Sequence, residues 1–394
     1  MKKVKCLIVM PRSYVGIDTI VPLLYCLKKQ NWKIVCVFLN PKGFEILKNI
    51  PTYYKIIKEN ATIRNFKPQT KFSKILKLLY ILLFIILTPE PRVIFSGGLD
   101  RSIMKIIKIF SKWKGIYYIV PNYNAPLPYR HLKEYYLDGL CDPVKRSVLG
   151  AAPGTFNAYS GKKLVGTLLL QSRYEDKRAD LFGLPKNRIY MGHYKLREPW
   201  LKYVKENRYW GNEAMKKEKS YIVIITKKET EYLFDSKNEA QVLLKETIEH
   251  IRRFYKETLI VIKPKPFKTV EANDWIKDIV DCFEDKRLVI DFTPLVFTAP
   301  KTMMAIFNSP STACFDFVIN EVPCIEHARY GYNYYNFHPK GSYLSDFGVF
   351  KTSTVEELDN AISKVKNGTL RIMSRDSLKE HIRHENCEKV LGKL

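Results

Sequence analysis

Several signatures are missing from this sequence, and each absence removes a class of chemistry. There is no GxxxxGK followed by Ser or Thr, no HExxH, no paired CxxC, no GxSxG and no DxD-type acidic pair. P-loop, zinc and serine-hydrolase readings therefore have no support, and no divalent metal is expected at the centre of the chemistry. Acidic residues are scarce, 40 against 66 Lys and Arg, which leaves a formal charge of +26. Such a field favours anionic partners: nucleic acid, acidic lipid, or phosphorylated or carboxylated substrates. A lysine-rich coding bias explains the same excess, and no nucleic-acid motif accompanies it, so a nucleic-acid partner is not expected. The cysteines (Cys6, Cys26, Cys36, Cys141, Cys282, Cys314, Cys324 and Cys387) are scattered, several within apolar runs, and read as reduced thiols.

A long hydrophobic run is also lacking. The apolar stretch behind the basic N-terminus is only about four residues, too short for the core of a signal peptide, and the chain is expected to stay in the cytoplasm. The segment 75–87, ILKLLYILLFIIL, follows Lys67, Lys71 and Lys74 and carries Lys77. A spanning helix needs about 20 residues. Two readings stay open for this segment, a buried helix or one lying in the interface of an anionic membrane.

What is present is a repeated alternation of apolar runs with helical spacing. CLIVM (6–10), a loop PRSYVGIDTI, a helix VPLLYCLKKQ and WKIVCVFLN (32–40) read as strand, loop, helix, strand. RVIFSGG (92–98), GIYYIVP (115–121) and KLVGTLLLQS (163–172) add further strands. The pattern restarts at YIVIITKK (221–228) and continues through TLIVIKPKP (258–266), RLVIDFTP (287–294) and VPCIEH. Alternation with short connections implies parallel sheets with crossover helices, and 394 residues exceed one hydrophobic core. The expected fold is α/β with two Rossmann-like domains. The expected division is 1–200, a charged linker 201–220, a second domain 221–375 and a last helix 376–394.

The stretch 262–326 holds the densest set of polar candidates. Lys263 and Lys265 end one apolar strand, and Ser309, Ser311 and Thr312 form a Ser-Pro-Ser-Thr turn at the end of another. At the carboxyl edge of a parallel sheet, ammonium groups and the free amides of a helix N-terminus suit a phosphate. An ordinary helix cap with solvated lysines produces the same pattern.

The order of the K-P-x-P strand end, the Ser-rich turn and the short V-P-C-I strand resembles the donor half of GT-B glycosyltransferases. It is similar in particular to enzymes that build bacterial capsule and lipopolysaccharide, sialyltransferase-like and Kdo-transferase-like ones included. Those families carry His-Pro where this chain has Lys265-Pro266, so the match departs from their pattern at that point. SRYEDKRADLFGLPKNRIYMGHYKLREPW (172–200) is similar to their exit from the first domain.

The resemblance implies two domains facing across a cleft, with a nucleotide sugar as co-substrate and no resident cofactor. The donor is a CMP-linked acidic sugar in preference to a UDP-sugar, and the acceptor a surface glycan or a lipid-linked one; the positive charge and the segment 75–87 would bring the enzyme to an anionic membrane that carries such an acceptor. It implies donor phosphates on the second domain, held by Lys263, Lys265, Ser309, Ser311 and Thr312, with Glu326 toward the ribose. It also implies an acceptor base on the first. Asp18, behind Gly16, is one candidate for that base and Asp100 another, although each suits a helix cap equally. His193 lies near the same edge. His327, Arg329, Tyr330 and the tyrosine-rich 331–339 are further polar and aromatic candidates. A non-hydrolysing nucleotide-sugar epimerase shares the two-domain plan and stays open as an alternative.

Overall fold

The computed structural model describes residues 4–11, 14–39, 41–65, 71–96, 117–120, 167–170, 186–190, 194–207, 210–226, 233–236, 238–264, 274–311, 313–337 and 342–372. Described residues up to Tyr203 belong to one compact unit, and those from Val204 onward to a second.

The first unit is built on β1 (Lys5–Val9), β2 (Lys33–Phe38), β3 (Thr62–Asn65), β4 (Arg92–Ser96), β5 (Tyr117–Val120), β6 (Thr167–Leu170) and β7 (Arg188–Tyr190). They form one sheet in the order β3-β2-β1-β4-β5-β6-β7, and every pairing is parallel. The apolar runs 6–10, 32–40, 92–98, 115–121 and 163–172 thus all supply strands. Parallel strands covered on both faces must be apolar throughout, which is why these segments show no alternation. Leu7, Val9, Val37, Val93, Phe95 and Leu170 pack with Ile81 and Ile85 of the helix Lys71–Leu87.

The segment 11–20 departs from the expected loop. The helix begins at Tyr14 and runs to Lys29. Ile17, Ile20, Val21 and Leu24 are all buried at helical spacing, so the apolar stripe continues one turn upstream of VPLLYCLKK and draws the chain into the helix.

The second unit contains β8 (Tyr221–Thr226), β9 (Ile260–Pro264), β10 (Leu288–Ile290), β11 (Thr302–Phe307), β12 (Cys324–His327) and β13 (Phe350–Thr352). The order is β10-β9-β8-β11-β12-β13, again with parallel pairings. Ile222, Ile224, Ile260, Ile262, Met304, Ile306 and Ile325 form its core with Leu244, Ile248 and Ile251 of the helix Glu239–Phe254. Leu358 and Ile362 of the helix Val355–Lys366 complete that core. The latter helix starts in a capping box: Thr354 accepts from the Glu357 amide, and the Glu357 side chain reaches back to the cap.

Counted from its own first strand, the second sheet reads 3-2-1-4-5-6 and the first reads the same with a seventh strand added, the doubly wound order in which the winding reverses beside the first strand. Two Rossmann-like units in sequence are what the pattern of apolar runs predicts, and they agree with the GT-B plan that the resemblance implies. The 201–220 stretch is more ordered than a linker. The helix Glu198–Glu206 runs into it and Glu213–Lys217 follows, capped by the Asn212 side chain on the Met215 amide at 2.9 Å. Trp210 stacks on Phe297 with centroids 5.4 Å apart, which ties this stretch to the second unit. The expected last helix, 376–394, lies outside the described residues.

Cys6, Cys26, Cys36, Cys314 and Cys324 are buried free thiols and Cys282 is an exposed one. Burial pushes the Cys6, Cys36 and Cys324 thiols far above the ordinary range, so they act as apolar filling.

Candidate functional site

In a doubly wound sheet the loops leave the first strand and the fourth on opposite faces, so a crevice opens at their carboxyl ends. In the second unit those strands are β8 and β11. Ile225 pairs with Phe307 in register, and the Asn308 amide donates to the Ile225 carbonyl at 3.0 Å. This places Thr226 beside Asn308, with Ser309 next in the chain. All three are buried, each at 1 to 2% exposure.

Their polar atoms are unevenly satisfied. Asn308 Nδ2 donates to Thr247 Oγ1 at 2.9 Å and to the His327 carbonyl at 3.2 Å, which fixes the side chain against the helix Glu239–Phe254. Asn308 Oδ1, Ser309 Oγ and Thr226 Oγ1 are buried without a hydrogen-bond partner. Leaving one such group unpaired costs about 1 to 3 kcal/mol, and native structures retain few of them. Three such groups lie together on adjacent strand ends, where a polar ligand would supply their missing partners. Two hydroxyls can donate to phosphate or sugar oxygens, and the amide oxygen accepts from a hydroxyl or ring N–H.

The remaining sequence candidates of this unit fall differently. Lys263 is not a solvated cation at the sheet edge. Its Nζ is buried and donates to Asp291 Oδ2 at 2.5 Å and to the Thr293 carbonyl. Burial pulls its pKa down and Asp291 pulls it back up. The ammonium is already neutralised, so it is spent within the sheet rather than presented to a phosphate. Ser311 Oγ accepts from the Ala313 amide at 3.2 Å, a local turn.

The helix beyond that turn, Cys314–Val318, has five residues and carries buried Asp316 in its first turn. A dipole this short, met by a carboxylate, gives little attraction to a phosphate, contrary to the sequence expectation. Glu326, at the end of β12, is buried and accepts from the Tyr330 hydroxyl. Burial raises its pKa, opposed by hydrogen bonds from Tyr330 and Ser342 and by the Lys351 charge.

Around it, His327 is fully buried with Nδ1 3.1 Å from Thr352 Oγ1. Arg329 is bound by Glu239 at 2.6 Å and Glu246 at 2.8 Å, so its charge is compensated. Tyr330 stacks on Tyr334 at 4.0 Å, which makes much of the tyrosine cluster internal packing. Tyr332 stays exposed.

In the first unit, Gly16 and Asp18 lie within the helix Tyr14–Lys29, not in a strand-end loop. The Asp18 carboxylate is buried and accepts from Lys195 Nζ at 2.8 Å and from the Tyr53 hydroxyl. Both carboxylate oxygens are thus engaged inside the unit, Oδ2 by the Lys195 ammonium and Oδ1 by the Tyr53 hydroxyl. Asp100, His193, Lys265 and Thr312 lie outside the described residues. Among the described residues no cluster of three or more His, Cys, Asp or Glu is placed to hold a metal ion.

Comparison with known proteins gives a fold and no family. No protein-family model matches the sequence, and no curated protein matches it. Solved structures do match. The UDP-GlcNAc 2-epimerase of Neisseria meningitidis bound to UDP-GlcNAc superposes with a TM-score of 0.54 at 11% identity, covering 100% of this chain and 99% of that one. The UDP-GlcNAc 2-epimerase of Methanocaldococcus jannaschii, in complex with UDP-GlcNAc and UDP, gives 0.50 at 14% identity, covering 100% and 99%. The glycotransferase of kitacinnamycin gives 0.50 at 10% identity, covering 100% and 99%. The chain has the GT-B fold.

Thr226 and Asn308 were not among the sequence candidates. The signal for both was present: each is the first polar residue after an uninterrupted apolar run, YIVII and MMAIF.

Proposed function

We propose that the protein is a glycosyltransferase that moves a sugar from a nucleotide donor onto a surface-polysaccharide or lipid-linked acceptor, binding the donor at the β8–β11 edge of its second unit. The observation that carries this reading is the set of unpaired buried groups, Thr226 Oγ1, Asn308 Oδ1 and Ser309 Oγ, at the reversal point of that sheet. The fold supports it, since the similar solved structures bind UDP or UDP-GlcNAc by their own descriptions. The net charge of +26 suits anionic donors and acceptors. A CMP-linked acidic sugar remains the proposed donor, with a UDP-sugar as the competing arm of the same titration.

Ser309→Ala tests the site with two readouts of opposite sign. Loss of the hydroxyl is expected to weaken nucleotide binding by about 1 to 2 kcal/mol, roughly 5- to 30-fold. The free protein is expected to keep or gain stability, because an unpaired buried hydroxyl has been removed. Unchanged affinity for CMP and UDP together with a lower melting temperature would remove Ser309 from the site. Failure of every nucleotide to bind the wild-type protein would sink the reading altogether.

The epimerase alternative draws on the two epimerases among the similar structures. Incubating the bound nucleotide sugar without acceptor separates the two activities. A new epimer of the free nucleotide sugar supports epimerisation, whereas a donor consumed only when acceptor glycan is added supports transfer.

A further inference from the structure

Among the described residues, the helix Lys71–Leu87 packs on the first sheet through one side. Ile81 and Ile85 are buried against the first sheet, and Lys77 is buried on the same side, donating to the Leu39 carbonyl at 2.9 Å. The other side carries Ile75, Leu76, Leu79, Leu83, Ile86 and Leu87, with exposures between 36 and 73%. At 100° per residue these six fall within an arc of about 120°. No charged residue follows Lys77 until Glu90, so the stripe is unbroken by any group that prefers water.

A face of this size on a surface helix marks a contact surface. Its occupant is indicated by what flanks it. Lys67, Lys71 and Lys74 immediately precede the stripe in sequence, with no acidic residue between 60 and 89. A second copy of the chain would bring the same lysines together and add another +26, whereas an anionic surface is attracted by both. The helix has 17 residues, about 25 Å of rise against roughly 30 Å of hydrocarbon. Among the described residues no helix is long and apolar enough to cross a membrane.

We propose that this face lies flat in the headgroup boundary of an anionic lipid bilayer, with the isoleucine and leucine side chains inserted and the basic sequence before them adding electrostatic attraction to the surface. The surface belongs to the first unit and needs no nucleotide, so it stands or falls separately from the donor site.

The test is flotation of the full chain with vesicles of phosphatidylglycerol and phosphatidylcholine against vesicles of phosphatidylcholine alone, for the wild type and for Leu79→Glu/Leu83→Glu. Both leucines are about half exposed, so the variant is expected to keep its melting temperature, elution volume and nucleotide affinity. The wild type is expected to float with the anionic vesicles, less so at high salt, and the variant's partition coefficient to fall at least ~10-fold. No flotation of the wild type on anionic vesicles overturns the proposal. So does a wild-type dimer that the double substitution turns into a monomer, which would give the face to a second copy. Equal, salt-insensitive binding to both vesicle types would overturn the part assigned to the lysines.

Discussion

Replacing Asp291 by Ala is expected to destabilise the second unit by about 3 to 5 kcal/mol, the usual cost of leaving one partner of a buried ion pair alone. The structure shows why the figure falls there and why it has a ceiling. Among the described residues, Lys263 Nζ has Asp291 and the Thr293 carbonyl as partners. Without Asp291 the ammonium keeps one carbonyl, and burial already favours its neutral form.

The lysine can escape by losing its proton, which from an ordinary pKa of 10.5 costs about 5 kcal/mol at pH 7, at roughly 1.4 kcal/mol per pH unit. The damage therefore stops near that value. Lys263→Met is expected to cost less, about 1 to 2 kcal/mol, because Asp291 retains the Thr293 amide and hydroxyl, both at 3.0 Å. Thermal denaturation followed by circular dichroism reads the difference as a fall of roughly 6 to 20 °C for Asp291→Ala, at roughly 2 to 4 °C per kcal/mol. A melt of Asp291→Ala within 2 °C of wild type, by that same scale, would refute the reasoning. So would loss of nucleotide affinity in Lys263→Met with an unchanged melt, since that would return the ammonium to the ligand.

Two further outcomes follow from the same unit. His327 is held by burial at a pKa of about 4, below its ordinary 6.5, with Glu246 pulling upward. The unfolded chain therefore binds a proton that the folded one refuses, and stability is expected to fall as pH drops from 6.5 to about 4, by up to ~3 kcal/mol. Glu326, whose pKa burial raises, works in the opposite sense. Urea midpoints at several pH values for wild type and His327→Asn isolate the histidine, and an unaltered slope in the variant would assign the acid sensitivity elsewhere. Gly331→Ala would place a Cβ 2.4 Å from Asp235 Oδ1 and 2.6 Å from the Asp235 amide nitrogen. The segment that accepts the Gly331 amide at Leu233 must then shift, for an expected loss of about 1 to 3 kcal/mol in urea titration; a loss below ~0.5 kcal/mol would show that the segment yields freely.

The strands were legible because a strand buried on both faces cannot alternate. CLIVM, RVIFS, YIVIIT and TLIVIKP announced themselves as runs, and their spacing announced crossovers. The short outer strands Thr62–Asn65 and Phe350–Thr352 did not, since an edge strand of three or four residues carries too little burial to shape a sequence. The strand ends that carry polar residues were legible, and the partners of those residues were not. Lys263 and Ser309 look alike in one dimension, each a polar residue where an apolar run ends. The difference lies with their neighbours in space. Lys263 ends a strand whose neighbour β10 is wound next in the same direction, so the returning chain brings Asp291 and Thr293 over it. Thr226 and Asn308 end strands where the winding reverses, and the chain departs from them to opposite faces. A polar group at a strand end is thus neutralised where consecutive crossovers pile up and left open where they part. That geometric distinction, absent from any local motif, is what favours the β8–β11 edge over the lysine-bearing one as the place for a ligand.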